Sequence, residues 1–217
     1  ERGIFNRQAA KVKALENGRR DADYYFGCNP CSEIILRPYQ FCNLTEVVAR
    51  VTDTMDTLTE KVRMATILGT FQSTLTNFKY LRKVWKDNTE EERLLGVSLT
   101  GILDCPVLNN VYYELESVLE QLRHVAVETN KKIAKDLGIP QSTAITCIKP
   151  SGTVSQLVDS ASGIHARHND YYIRTVRGDN KDPLTQFMKD SGIPSEPCVM
   201  KPDSTTVFSF PMKSPSG

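Results

Sequence analysis

Residues 26–44 run Phe-Gly-Cys-Asn-Pro-Cys-Ser-Glu-Ile-Ile-Leu-Arg-Pro-Tyr-Gln-Phe-Cys-Asn-Leu, and they constrain this chain more than any other stretch. Three cysteines (Cys28, Cys31, Cys42), two asparagines (Asn29, Asn43) and one carboxylate (Glu33) stand between short apolar runs that otherwise read as buried strand. Chemistry rather than packing accounts for such a mixture, since polar groups placed in a buried strand cost free energy unless they are paired. Asn29, Cys31 and Glu33 alternate at period two, so an extended backbone projects all three from one face. Cys42 follows Cys31 by eleven residues, and a turn at Arg37, Pro38, Tyr39 and Gln40 brings it back toward the first thiol. Two thiols beside a carboxylate suggest redox or radical work on a small substrate.

Around this stretch the chain alternates helix and strand patterns. A short helix is expected over 5–17, with Asn6 as cap and Gly18 as stop, then a polar link over 18–23 and a strand over 44–51. Apolar positions at Leu58, Val62, Ala65, Ile67, Leu68 and Phe71 predict a core helix over 57–77, opened by a capping box of Thr57 and Glu60. The charged residues 90–93 lead into an apolar, glycine-spaced run over 94–103, a buried strand or a close-packed segment between which periodicity does not choose. The longest helix is expected over 111–137, on Leu115, Val118, Leu119, Leu122, Val125 and Ile133, with Gly138 as its stop. Residues 143–148 are β-rich and end at Pro150, Ser151 and Gly152, an order of strand, Ser/Gly/Thr loop and helix start that turns backbone N–H groups on an anion. Strand over 171–176, helix over 183–191 and strand over 205–210 complete an α/β pattern, for which largely parallel pairing is expected.

Composition narrows the function. With 40% hydrophobic and 24% charged residues the chain is globular, and 217 residues allow one large domain or two small ones. The balance of 27 basic and 26 acidic side chains gives no sign of a polyanion-binding surface, which disfavours nucleic acid as a partner. No apolar run approaches the roughly 20 residues that span a bilayer, and the amino end has no signal-peptide pattern, so a cytoplasmic chain without a membrane partner is expected. Six irregularly spaced cysteines fit reduced thiols. Cys28 and Cys31 could form half of a zinc site or a redox pair, but no second such pair exists and the nearest alternative ligands are His165 and His168; no metal is assigned. Cys105, Cys147 and Cys198 read as small core residues.

Asn29-Pro30-Cys31-Ser32-Glu33-Ile34, with Phe41-Cys42-Asn43-Leu44 after it, resembles the active-site loop of the large subunit of ribonucleotide reductases. The short gap between Cys31 and Cys42 and the proline after Asn29 resemble the monomeric, adenosylcobalamin-dependent type more than the iron-dependent type. Residues 148–155 resemble the family's substrate-phosphate loop, and Gly163-Ile164-His165 with Tyr171-Tyr172-Ile173-Arg174 resemble the segment next to that loop in the family. The stretches 2–7 and 208–215 resemble the same enzymes, so the likeness spans nearly the whole chain in the expected order.

The resemblance implies an α/β fold, part of a ten-stranded barrel with the radical cysteine on a central finger loop, and places residues 1–217 in a single partial catalytic domain. It makes Cys31 the thiyl radical that takes the 3′ hydrogen of the ribose, Glu33 the general base on the 3′ hydroxyl, and Asn29 the residue that holds the ribose hydroxyls. It makes Cys42 one half of the dithiol that reduces the 2′ position. Pro150, Ser151, Gly152, Thr153, Val154 and Ser155 would bind the nucleotide phosphates, with Thr153 and Ser155 as the contributing side chains. The cofactor implied is adenosylcobalamin and the reductant a thioredoxin-like protein. In the family the partner thiol of Cys42 lies well upstream and a terminal cysteine pair lies further on, so the chain reads as an internal fragment, inactive alone and expected to associate with itself or a complementary chain. Cys28 has no role in the family pattern. The readings from other classes are an iron-dependent large subunit, a non-catalytic nucleotide-binding fragment, and a zinc module on Cys28 and Cys31.

Overall fold

The computed structural model describes residues 3–16, 18–109 and 115–215. They fall into two compact units, Glu1–Ala166 and Arg167–Gly217, each described by itself.

The first unit is built on a parallel strand pair. β3 (Asn43–Val48) runs beside β4 (Leu95–Thr100), in register from Asn43↔Leu95 to Val48↔Thr100. On the other side of β4 lies the β-rich segment 143–148, where Val97 N–H donates to Ile145 O at 2.8 Å and Cys147 N–H to Val97 O at 3.1 Å. Its pairing is a single parallel bridge, Val97↔Thr146, because the next amide, that of Lys149, donates to the Ser98 hydroxyl (2.7 Å) instead of to a strand carbonyl. The run that sequence left open between strand and packed segment is thus a strand, buried along its whole length.

Alternation along β4 separates two faces. Leu95, Val97 and Leu99 join Val47, Leu58, Val62, Ala65, Leu122, Ala126 and Ile145 in the core under α2 (Met55–Gln72) and α4 (Leu115–Asp136). Gly96 and Ser98 face the opposite way, toward Cys42, Cys147 and the Lys149 backbone. α2 starts earlier than expected: the capping box is Thr54 with Thr57, each hydroxyl accepting from the other's amide at 3.3 and 2.9 Å, not Thr57 with Glu60. Leu68 and Phe71 are exposed, and the inward stripe continues instead through Thr66, Gly69 and Thr70, whose two hydroxyls donate to carbonyls one turn back. A Cβ on Gly69 would come into contact with Leu95 and Thr45 at 3.5 Å, so the helix lies close on the sheet there.

α1 (Arg7–Glu16) has the expected cap, Asn6 Oδ1 accepting from Ala9 N–H at 3.1 Å, and Gly18 comes after it at φ +62; Asn17, in the expected range, lies outside the described residues. α4 buries Leu122, Ala126, Asn130 and Ala134, a stripe one residue in four, and gives way at Gly138 (φ +66). The expected positions 111–114 of that helix lie outside the described residues. α3 (Lys83–Glu92) was not expected, its sequence being polar almost throughout. It has an αL C-cap, Arg93 at φ 44, which turns the chain from Glu92 into β4.

The second unit corrects the expectation of parallel pairing. β5 (Tyr171–Asp179), β6 (Ser195–Pro197) and β7 (Thr205–Lys213) form an antiparallel sheet in the order β5-β7-β6, with β5 and β7 paired over nine residues. α6 (Pro183–Asp190) lies between β5 and β6 in sequence, with Asp182 accepting from Leu184 N–H at 2.9 Å and proline in the first turn. Among the described residues no helix is long and apolar enough to cross a membrane.

Candidate active site

Asn29, Cys31 and Glu33 are not on an extended strand. β1 (Gly27–Cys28) and β2 (Ile35–Leu36) form an antiparallel hairpin, and the three residues occupy its turn. Asn29 shapes that turn: its carbonyl accepts from Ser32 N–H (2.9 Å) and its side-chain oxygen from Ile34 N–H (3.0 Å), while Ser32 sits at φ +66. A hairpin tip therefore performs the convergence expected of period-two alternation. Asn29 Nδ2 donates to Glu33 Oε1 at 2.6 Å, and Lys149 Nζ reaches the same oxygen at 2.9 Å and Cys31 Sγ at 3.3 Å. Cys31 is exposed. Cys28 Sγ lies 3.7 Å from the Ser32 hydroxyl, and among the described residues no three His, Cys, Asp or Glu side chains are grouped to hold a metal.

The hairpin is tied to the sheet by buried charge. Glu92, fully buried at the end of α3, accepts from Arg20 through both oxygens at 2.8 Å, pairs with Arg37 at 3.2 Å, and accepts from the Gln40 amide. Arg37 also reaches Glu91 at 2.9 Å and lies over the Tyr24 ring; Arg20 lies over Phe26. Both arms of the loop thus meet one carboxylate. The expected turn at 37–40 is present, with Tyr39 at φ +59 and Gln40 Oε1 accepting from Arg37 N–H (2.9 Å), and it delivers Cys42 to the start of β3.

Cys42 has a neighbour that sequence reading assigned to the core. A Cβ placed on Gly96 would stand 3.0 Å from Cys147 Sγ and 3.2 Å from Cys42 Sγ, so the two sulfurs are no farther apart than those distances laid end to end. Cys105 is the core residue expected, but Cys147 is half-buried and faces the site. Burial, then the neighbouring Cys147 thiol and Glu33, push the Cys42 thiol up to about 12; burial, then Glu33, do the same to Cys147, also to about 12. Both keep their hydrogen at neutral pH. Gly96→Ala is expected to destabilise the chain by about 1–3 kcal/mol, because the new methyl would also meet Leu44 Cδ2 at 2.5 Å. An unchanged thermal unfolding midpoint would contradict this.

Among the described residues, Glu33 has partners on one carboxylate oxygen and none on the other. Burial pushes its carboxyl up, but hydrogen bonds from Lys149, its own backbone amide and Asn29 outweigh burial and hold it below the usual carboxylate value. Its Oε2 is buried and has no hydrogen-bond partner among the described residues.

The loop at 150–155 leads into α5 (Thr153–Leu157). Ser151 and Ser155 are buried and bonded to one another, Ser155 N–H to Ser151 Oγ at 3.1 Å and Ser155 Oγ to Ser151 O at 2.9 Å; Ser162 Oγ also donates to Ser151 O. Gly152, Thr153 and Val154 are exposed. Of the two side chains expected to contribute, Thr153 is open to solvent and Ser155 is turned inward to shape the loop. Lys149 was not among the expected site residues. Its signal was its place, a cation immediately before the Ser/Gly/Thr loop at 150–155.

No family model matches the chain. Among curated proteins, the adenosylcobalamin-dependent ribonucleoside-triphosphate reductase of Euglena gracilis is 29% identical over 189 residues, covering 86% of this chain and 25% of that protein. Its namesake in Lacticaseibacillus paracasei is 29% identical over 98% of this chain and 32% of that protein, and the one in Lactobacillus leichmannii 26% identical over 86% and 28%. A solved B-12 dependent (class II) ribonucleotide reductase superposes with a TM-score of 0.71 at 25% identity, over 87% of this chain and 29% of that one. This chain is similar to the class II ribonucleotide reductases. The resemblance carried by the cysteine loop and the 148–155 block is thereby borne out, as is the α/β fold. The chain spans about a quarter to a third of the length of the class II relatives it matches.

Proposed function

We propose that this chain is the part of an adenosylcobalamin-dependent ribonucleotide reductase that carries its radical cysteine, reducing a ribonucleoside triphosphate to supply deoxyribonucleotides for DNA synthesis. The observation that carries this reading is the meeting of Asn29, Cys31 and Glu33 at one hairpin tip with Glu33 Oε2 left free. The similarity to class II reductases supports it. The hairpin is read as the finger loop, β3, β4 and 143–148 as an arc of the ten-stranded barrel, and residues 1–217 as part of one catalytic domain.

Cys31, exposed at the tip, fits a radical source that reaches it from outside the sheet. The chemistry supplied by adenosylcobalamin, when bound, is removal of the hydrogen atom from that thiol. The Cys31 sulfur then takes the 3′ hydrogen of the ribose, Glu33 Oε2 accepts the proton of the 3′ hydroxyl, and the Asn29 amide orients the sugar. Cys42, held as a thiol, gives hydrogen at the 2′ position as water leaves; it and a partner thiol end as a disulfide that a thioredoxin-like protein reduces. Residues 150–155 hold the phosphates through the backbone amides of the exposed residues Gly152, Thr153 and Val154 and the Thr153 hydroxyl, with Pro150, Ser151 and Ser155 shaping the loop. A complementary chain or self-association completes the catalytic body, which works in the cytoplasm.

Turnover of labelled ribonucleoside triphosphate with adenosylcobalamin and reduced thioredoxin tests this in the complete catalytic assembly. Glu33→Gln is expected to lower kcat by roughly 10²–10⁴-fold. Glu33 serves as base only while ionised, and its carboxyl is held low; activity is therefore retained down through the usual carboxylate range and lost as pH falls through that lowered value. Product formed only with a metal-containing small subunit would point to the iron-dependent type. Nucleotide bound without product would point to a binding fragment.

A further inference from the structure

Lys149 has no part in the roles above, yet its ammonium touches two of the groups that hold them, Glu33 Oε1 at 2.9 Å and Cys31 Sγ at 3.3 Å. An ammonium has three donors and no acceptor. The Cys31 sulfur is therefore the acceptor in that contact, and the thiol hydrogen points away from Nζ. The same ammonium, with the Asn29 amide, occupies Oε1 of Glu33 and leaves Oε2 as the free acceptor. The lysine is itself fixed at its root, its backbone N–H donating to Ser98 Oγ on β4 at 2.7 Å.

We propose that Lys149 is a positioning residue for this reaction, a cation that clamps the Cys31 sulfur and the Glu33 carboxylate together so that the thiol hydrogen and Oε2 are turned to the substrate. This rests on the reading of Cys31 as radical thiol and Glu33 as base. The clamp also makes the proton loan reversible: when Glu33 takes a proton from the substrate hydroxyl, Lys149 faces a neutral acid, which favours the proton's return. Among the described residues, the titratable groups that interact with Glu33 include Lys149 and the Cys42 and Cys147 thiols; Cys31 meets Lys149, and Arg20 acts on Cys42. Among the described residues Lys149 is the cation in hydrogen-bond contact with the carboxylate.

Lys149→Met keeps the unbranched stem, shorter by one atom, and removes the charge; Lys149→Arg keeps the charge. Two readouts are taken on the complete catalytic assembly: infrared titration of the Glu33 carboxyl without cofactor, assigned by its loss in Glu33→Gln, and the pH profile of kcat. Lys149→Met is expected to shift the carboxyl titration and the acid limb of kcat upward together and to lower kcat on the order of 100-fold, with Lys149→Arg recovering much of each. A Lys149→Met enzyme with both titration and kcat unchanged overturns the inference while the reductase reading stands. If Lys149→Met fails to fold by circular dichroism, Lys149→Arg decides: a folded arginine variant with no recovered activity overturns it. A wild-type assembly that makes no deoxynucleotide, even though Lys149→Met still shifts the titration, overturns the reductase reading and the positioning role with it.

Discussion

Cys31→Ala is expected to abolish deoxynucleotide formation and leave the fold as it is. The side chain is exposed at a hairpin tip and among the described residues its sulfur makes one polar contact, with Lys149, so its removal is expected to change stability by no more than about 0.5 kcal/mol. The other thiols of the loop have different surroundings. Cys28 lies beside Ser32 on β1, and the Cys42 and Cys147 thiols are held against Gly96 on the sheet. On the proposed reading an alanine cannot carry the radical, and Lys149 and Glu33 would remain in contact with one another beside it. The measurement is turnover of labelled ribonucleoside triphosphate beside a thermal unfolding curve. Turnover retained by a folded Cys31→Ala enzyme would remove Cys31 from the mechanism.

Glu92→Ala is expected to cost about 3–5 kcal/mol of stability, a large share of the 5–15 kcal/mol typical of a folded domain. Glu92 is fully buried, and its two oxygens serve Arg20, Arg37 and Gln40 together. Alanine would leave the Arg20 guanidinium, also buried, without its carboxylate and deprive Arg37 of one of two. Because the pair is out of water, added salt should screen the loss only slightly. Glu92→Gln keeps an acceptor and the volume and should cost less than alanine. Urea denaturation of the three proteins checks the order; a Glu92→Ala midpoint equal to wild type would show that the network is not holding the hairpin. The same substitution frees both arms of the loop that presents Cys31, so activity should fall where residual fold permits it to be measured.

Much of this molecule was legible in its residues because the signals are local. Asn6 caps α1 and Gly138 ends α4, since a side-chain oxygen and a missing Cβ act within one turn. The turn at 37–40 and the strand-like 143–148 arise from proline placement and β-branched runs. The residue types of the site were readable for the same reason: a thiol, an amide and a carboxylate keep their chemistry wherever the chain puts them. α3 was missed because its residues, Lys-Val-Trp-Lys-Asp-Asn-Thr-Glu-Glu-Glu, bury only Thr89 and Glu92 and show no apolar stripe. The antiparallel second sheet was missed because strands separated by a helix normally pair in parallel, and nothing local records that β6 and β5 flank β7.

Sequence by itself determined the alternation of elements, their caps and the chemical inventory of the cysteine loop, all set by interactions within a few residues. Tertiary structure alone decided that Glu92 meets Arg20 across 72 positions of chain, that Lys149 meets Cys31 across 118, and that Cys147 stands beside Cys42. Those meetings depend on which strand lies next to β4 and in what register. Register is set by the whole buried face at once, and no single residue carries it.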